Sequence, residues 1–545
     1  MKHPFAKILL LLGLIGLFFA CKTDQNHSDK MIFRYNESSG IATLDPAFAS
    51  GQATIWPCNL LYNGLVDLND SLKIVPAIAK SWHISEDGTE YTFHLRTDVR
   101  FHSTDYFPMN RTVTAHDFVY SFNRIVDAKV ASPGAWIFQK VARDKDGRPL
   151  FEALNDSTLR ITLTQYYPPF LGILAMKYCS VVPHEAVEHF GEDYRKYPVG
   201  TGPFQMKMWE EGVKLVLRKN PHYFEVDGQG NQLPYLDGVA ISFIVDKQSV
   251  FMEFMKGSLD FMSGVEACYK DALLTQNGEL QPKYSQDIQM LTSPYLNTEY
   301  IGFLLKENGA ENPLLRKEVR QAMNYGFDRK KMMRYMRNNI GYAGTSGFVP
   351  RGMQSFDENR VKGYDYNPEK ALELLAKAGY PNGKGLKPIT ISVSATYLDL
   401  VQYIQHELGK IGIPIEIDVE QAAQQREMMR AYRLPAFRGS WICDYLDAEN
   451  YLALFYSHNL QPNGSNYTHY VNPEFDKLFE KSQTILDDSL RNDMYTRLDS
   501  MLMEDAPVML LYYDKAVRFT RKNVAGITPN PINMLDLRRV KICKK

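Results

Sequence analysis

Residues Ile389 to Val419 carry the clearest alternation of apolar and polar positions in the chain. Ile389, Ile391 and Val393 recur every second residue, the period of a strand. Leu400, Val401, Ile404, Leu408 and Ile411 then recur at helical spacing, and Ile413, Ile415, Ile417 and Val419 return to alternation. Strand, helix, strand over this length predicts one right-handed βαβ crossover, and hence an α/β lobe with parallel strands. Ligands of such sheets sit beyond the carboxyl ends of the strands.

The same reasoning places elements elsewhere. Asn312-Pro313, Asn367-Pro368 and Asn472-Pro473 each read as a helix start. The Asn side chain accepts a free backbone N–H, and Pro has none to leave unpaired. After Pro368, the residues Ala371, Leu374, Leu375 and Ala378 share one helix face, and Gly379 ends it. Thr114 with Asp117 predicts a capped helix that buries Phe118, Phe122, Ile125 and Val126. Tyr91, Phe93 and Leu95 alternate as a strand, as do Leu159, Ile161 and Leu163. Tyr512 and Tyr513 end an apolar strand-like run from Val508, and one of the two is expected to face a cleft.

The N-terminus has a different pattern. Lys2 and Lys7 precede an apolar stretch from Ile8 to Phe19, too short to cross a bilayer. Residues 1–20 read as a signal peptide. Ala20-Cys21 followed by polar residues resembles a bacterial lipoprotein signal, although Leu17 and Phe18 depart from the strict motif. Cys21 is then the lipidated residue, and 21–30 a tether holding the protein off the membrane.

With 545 residues, two or three domains are expected. The 62 basic residues balance the 63 acidic ones, and no basic run suggests nucleic acid. Cys58, Cys179, Cys268, Cys443 and Cys543 lie far apart, without metal spacing, and read mostly as small buried apolar residues. His184 and His189 are five apart, so their rings diverge on a helix where a zinc helix needs a spacing of four. No GxSxG elbow is present, and Asp444 with Asp447 does not by spacing make a glycosidase pair. Neither a metal site nor catalysis is expected, and no cofactor.

Seven segments in order then resemble the extracellular solute-binding proteins of family 5, the oligopeptide- and dipeptide-binding proteins of ABC importers. They begin at Thr43-Leu44-Asp45-Pro46 with Leu61-Tyr62-Asn63-Gly64-Leu65, and at Pro76 to Trp82 running on to Arg96. Thr114 to Val119, Gly200 to Phe204, Arg316 to Met323 and Trp441 to Tyr445 follow. The resemblance implies an α/β fold, a two-lobe clamp of type II like periplasmic binding proteins, with an extra α+β domain on the first lobe. Lobe one would combine 31–75, 195–293 and 506–545; the extra domain would be 76–194, and lobe two 294–505. It implies a monomer, extracytoplasmic and lipid-anchored to a bacterial membrane, that hands a peptide to an ABC permease. It implies no enzyme.

The resemblance also implies a site. Asp444 matches the carboxylate that holds a peptide's α-ammonium. Ser440 and Ile442, and Ser50, Gly51 and Gln52 on the opposing lobe, would pair with the peptide main chain as an added strand. Trp441 would wall a side chain, with Tyr445 beside it. Dipeptide binders place an Arg before the helix of the βαβ unit, where this chain has Thr396-Tyr397-Leu398-Asp399. That departure favours oligopeptides over dipeptides. The same clamp could hold a nickel chelate, a sugar or haem; an exported lipid-anchored hydrolase is the rival of another class.

Overall fold

The computed structural model describes residues 30–543 apart from 109, 267, 308–311 and 462–463. The expected signal peptide, Cys21 and all of the tether but Lys30 lie outside the described residues.

The βαβ unit forms as its pattern predicts. Strands Ile389–Ser394 and Ile415–Glu420 pair in parallel, Ile389 opposite Ile415, and helix Leu398–Gly409 connects them. The apolar face of the helix is buried: Leu400, Val401, Ile404 and Leu408 pack with Ile389, Ile391 and Val393. Strand Ala436–Ile442 lies parallel on the other side of Ile389–Ser394. Its outer edge pairs antiparallel with Ile288–Phe303, which pairs in turn with Val508–Arg521.

These last two strands join the lobes. Ile288, Val517 and Phe519 pack with Val250, Phe251 and Phe254 on the first-lobe side. At the other end Ile301, Phe303, Met509 and Leu511 belong to the core of the βαβ lobe. Between Pro294, opposite Lys515, and Thr298, opposite Tyr513, the ladder bulges: Tyr295, Leu296 and Asn297 face Asp514 alone. Strand Val508–Arg521 thus runs from the core of the βαβ lobe to the core around Phe254, with the bulge at Asp514 between them. The apolar run from Val508 to Tyr513 packs in the cores around Ile301 and Phe348. Tyr512 and Tyr513 are both buried there, and neither faces the cleft; the Tyr513 hydroxyl donates to the Gly347 carbonyl at 2.5 Å.

The first lobe holds a four-stranded sheet in the order Ile32–Asn36, Gly238–Ser242, Lys214–Lys219, Phe204–Glu210. A second four-stranded, antiparallel sheet runs Ala79–Ile84, Glu90–Leu95, Thr158–Thr162, Phe151–Asn155. Helix Ala115–Val126 contacts the Phe151–Asn155 and Thr158–Thr162 strands of that sheet, and the Thr114 N–H donates to Asp117 at 2.8 Å, the capping box expected. One continuous core joins both sheets, from Phe33 and Val239 to Phe93 and Phe118, so the added domain is fused to the first lobe. Asn367 and Asn472 cap α-helices as predicted. Asn312 caps only a 3-10 turn, Pro313–Leu315, and the α-helix starts after Arg316. Cys58, Cys179 and Cys443 are buried, Cys268 and Cys543 exposed, and all five are free thiols.

Candidate ligand-binding cleft

A cavity of about 300 Å³ opens between the lobes, at the lower end of the range for ligand sites. Lobe one contributes Ser50, Gly51 and Gln52, where Gly51 caps helix Gln52–Leu61. The Gln52 side-chain oxygen accepts from Asn533 Nδ2 at 2.9 Å. Trp136 and Tyr178 add aromatic wall, and the hairpin tip Asp67–Leu72 closes one side. Lobe two contributes the turn after strand Ala436–Ile442, from Ile442 to Leu446, and Tyr295 from the hinge bulge.

That turn is built around one amide. Asn450, in the short helix Glu449–Leu452, is buried. Its Oδ1 accepts from Trp441 Nε1 at 2.9 Å and from the Asp444 N–H at 3.1 Å. Its Nδ2 donates to Asp444 Oδ2 at 3.4 Å. Asp444 is exposed where it lines the cavity, with the protein on either side of it. Burial raises its carboxyl above the ordinary range, and the Asn450 hydrogen bond only partly offsets this. Among the described residues Asp444 has no ion-pair partner. Tyr178, across the cavity, is close enough for Asp444 to help push its hydroxyl up, after burial, to about 12.

Of the residues expected from sequence, the cavity gathers Ser50, Gly51, Gln52, Ile442, Asp444 and Tyr445. Ser440 and Trp441 do not line it. Ser440 pairs within the sheet opposite Glu299, and the Trp441 indole turns to Asn450 and packs on a second-lobe core. Arg438, two residues before Ser440, stacks on the Tyr397 ring at 3.4 Å and pairs with Glu299, so it too is engaged away from the cavity.

Tyr445 crosses between lobes. It is buried in the first-lobe core, 6.0 Å from the Trp136 ring, and its hydroxyl donates to Glu449. Burial pushes the Glu449 carboxyl up to about 7, and the Tyr445 hydroxyl opposes this in part. Asp447 is also raised by burial; Arg491, 3.6 Å away, serves both it and Asp488. Leu72, with φ of 60°, packs against the second-lobe core from the hairpin tip.

The lobe-one wall carries charges that sequence reasoning missed. Arg538 pairs with Asp536 at 2.7 Å, Glu225 at 2.8 Å and Asp67 at 3.1 Å, while Lys177 sits 3.6 Å from Asp67. Burial opposes it, but the Arg538 charge holds the Asp536 carboxyl below its usual range. These residues are scattered from 67 to 538, and no local spacing signals them.

The family model for bacterial extracellular solute-binding proteins, family 5 Middle, matches residues 73–463, more than half of the chain. Heme-binding protein A of Haemophilus influenzae is 29% identical over 526 residues, covering 94% of this chain and 92% of that protein. The dipeptide-binding protein of Escherichia coli is 24% identical, covering 88% and 89%. Among solved structures, the ABC transporter-associated periplasmic binding protein DppA from Helicobacter pylori, in complex with peptide STSA, superimposes with a TM-score of 0.78 at 25% identity, covering 94% and 99%. The α/β two-lobe clamp with its added domain is therefore the fold of extracytoplasmic binding proteins that serve ABC transporters and are not enzymes. By the family match and by this architecture, the chain belongs to the bacterial extracellular solute-binding proteins of family 5.

Proposed function

We propose that this protein captures short peptides between its closing lobes and hands them to an ABC permease, held at the membrane by a lipid on Cys21. The observation that carries the reading is Asp444: a carboxylate lining the cavity between the lobes with no cation of its own among the described residues. An α-ammonium supplies that cation. Such a charge-assisted bond is worth about 1.5–3 kcal/mol once water is excluded. Ser50, Gly51 and Gln52 on one side and Ile442 on the other offer polar main chain to the peptide backbone. The cavity volume favours two or three residues over the longer peptides that the missing Arg suggested.

Mass spectrometry of ligand released from purified protein tests this; peptides with free amino termini are expected, and any other solute overturns it. Binding of N-acetylated and free peptides with equal affinity would remove the ammonium pocket. Replacing Cys21 with Ser is expected to release the protein into the soluble fraction; retention in the membrane would refute the anchor.

The relative named for haem binding motivates a second reading. Any haem propionate placed at Asp444 would meet an uncompensated carboxylate, which disfavours it there. Haem in the released ligand would decide for it.

A further inference from the structure

We propose that Asn450 is a positioning residue of this site: its buried amide aims the Asp444 carboxylate into the cavity without neutralising it. The inference rests on the reading of Asp444 as the ammonium acceptor, and adds the part that sets its direction and charge.

The amide has one orientation. Two N–H donors, from the Trp441 indole at 2.9 Å and the Asp444 backbone at 3.1 Å, converge on one side-chain atom, which must therefore be the oxygen. The NH₂ group is left facing Asp444, and donates to Oδ2 at 3.4 Å. Both ends of the contact are tied to one turn: the same Asn450 side chain holds the Asp444 main chain and its carboxylate. Only 5% of Asn450 is exposed, so its amide is held by these protein partners.

The residue type matters. An Arg or Lys at 450 would also orient the carboxylate, but would cancel its charge and leave nothing for a guest cation. An apolar residue would leave a crowded carboxylate with no donor, which favours its protonated form. A neutral amide is the remaining option: it supports the ionised form by one hydrogen bond and leaves the net charge in place. The titratable groups facing Asp444 are Cys443 and Tyr451 from its own lobe and Tyr178 from the other. Burial pushes all three upward, so none supplies a cation or a second negative charge near neutral pH.

The test uses an equimolar pool of tripeptides and the same pool N-acetylated, with apparent affinities for each measured on the full-length protein and its variants. Wild type is expected to favour the free-amine pool by tenfold or more. In Asn450→Leu that preference is expected to fall about tenfold, from loss of a hydrogen bond to a charged group. A role in folding alone would weaken both pools equally and leave the preference intact, which would overturn the proposal. Asn450→Asp can still accept from Trp441 and the Asp444 N–H, so it keeps the turn if the leucine variant does not fold. There the second carboxylate is expected to move the acid-side loss of free-amine affinity up by about one pH unit; an unmoved profile also overturns the proposal. Asp444→Ala separates the two levels. If it keeps the wild-type preference, the ammonium reading itself fails. If it loses the preference while both Asn450 variants retain it, only the role of Asn450 falls.

Discussion

The two walls of the cleft treat charge in opposite ways. On lobe one, Arg538 sits among Asp67, Glu225 and Asp536, with Lys177 beside Asp67, and each charge has a partner. On lobe two, the Asp444 carboxylate faces the same cavity with only the Asn450 amide as a hydrogen-bond partner among the described residues. A paired network is spent on the protein itself: it spans segments from residue 67 to residue 538 and fixes their relative position. A carboxylate left without a cation stabilises nothing at rest, and its burial raises its carboxyl. The difference sets Asp444 apart from Arg538 and its partners; Asp70, on the exposed hairpin tip, also lines the cavity without an ion pair among the described residues.

Breaking the lobe-one network should have the largest effect. Arg538→Met strands Asp536 and Glu225 and leaves Asp67 to Lys177 alone, and a loss of about 3–5 kcal/mol in stability is expected by denaturant titration. Stability within 1 kcal/mol (about 1, the size of a surface pair) would mean that the network is ornamental. Asp444→Asn should do the reverse. Unfolding free energy should hold or rise slightly, since a crowded charge is removed, while free-amine peptide affinity drops tenfold or more, about 1.4 kcal/mol. Unchanged calorimetric affinity would place Asp444 with the wall.

A third expectation concerns the interface beyond Tyr445. The Glu449 carboxyl is pushed up to about 7 by burial under the other lobe, facing Tyr445 and Asp447 on its own segment, Tyr495 on helix Asp488–Asp505, and Lys140 and Tyr167 opposite. If opening returns it to an ordinary glutamate, the closed form holds the extra proton. Closure then becomes easier as pH falls through 7 and gains nothing further below the open-state value. Peptide affinity should rise about three- to tenfold from pH 8 to pH 6, and Glu449→Gln should flatten the rise. A flat wild-type profile would show that Glu449 keeps one environment. The smallest effect is expected at Leu72. Asn tolerates its left-handed backbone better but forfeits the apolar contact with lobe two, so Leu72→Asn should cost about threefold in affinity. Tighter binding would show that the backbone term dominates.

Much of the scaffold was legible because it is local. The βαβ unit, the Thr114–Asp117 cap and the Asn367 and Asn472 caps depend on residues within one or two turns of each other. Asn312 departs because only three residues separate it from Arg316, too few for an α-helix before the chain turns again. The site was legible where a short segment carries it, as from Ile442 to Tyr445. It was opaque where distant segments meet. Nothing near Trp441 in sequence says that its indole turns to Asn450, and nothing near Arg538 points to Asp67.

The hinge bulge has a mechanical consequence. Tyr295, in the stretch of ladder without a one-to-one partner, also lines the cavity. The spring and the sensor of this device therefore share a residue. If a guest presses on this ring it loads the joint without a relay through either lobe, and trimming Tyr295 to Ala is then expected to change the opening of the empty protein as read by small-angle scattering.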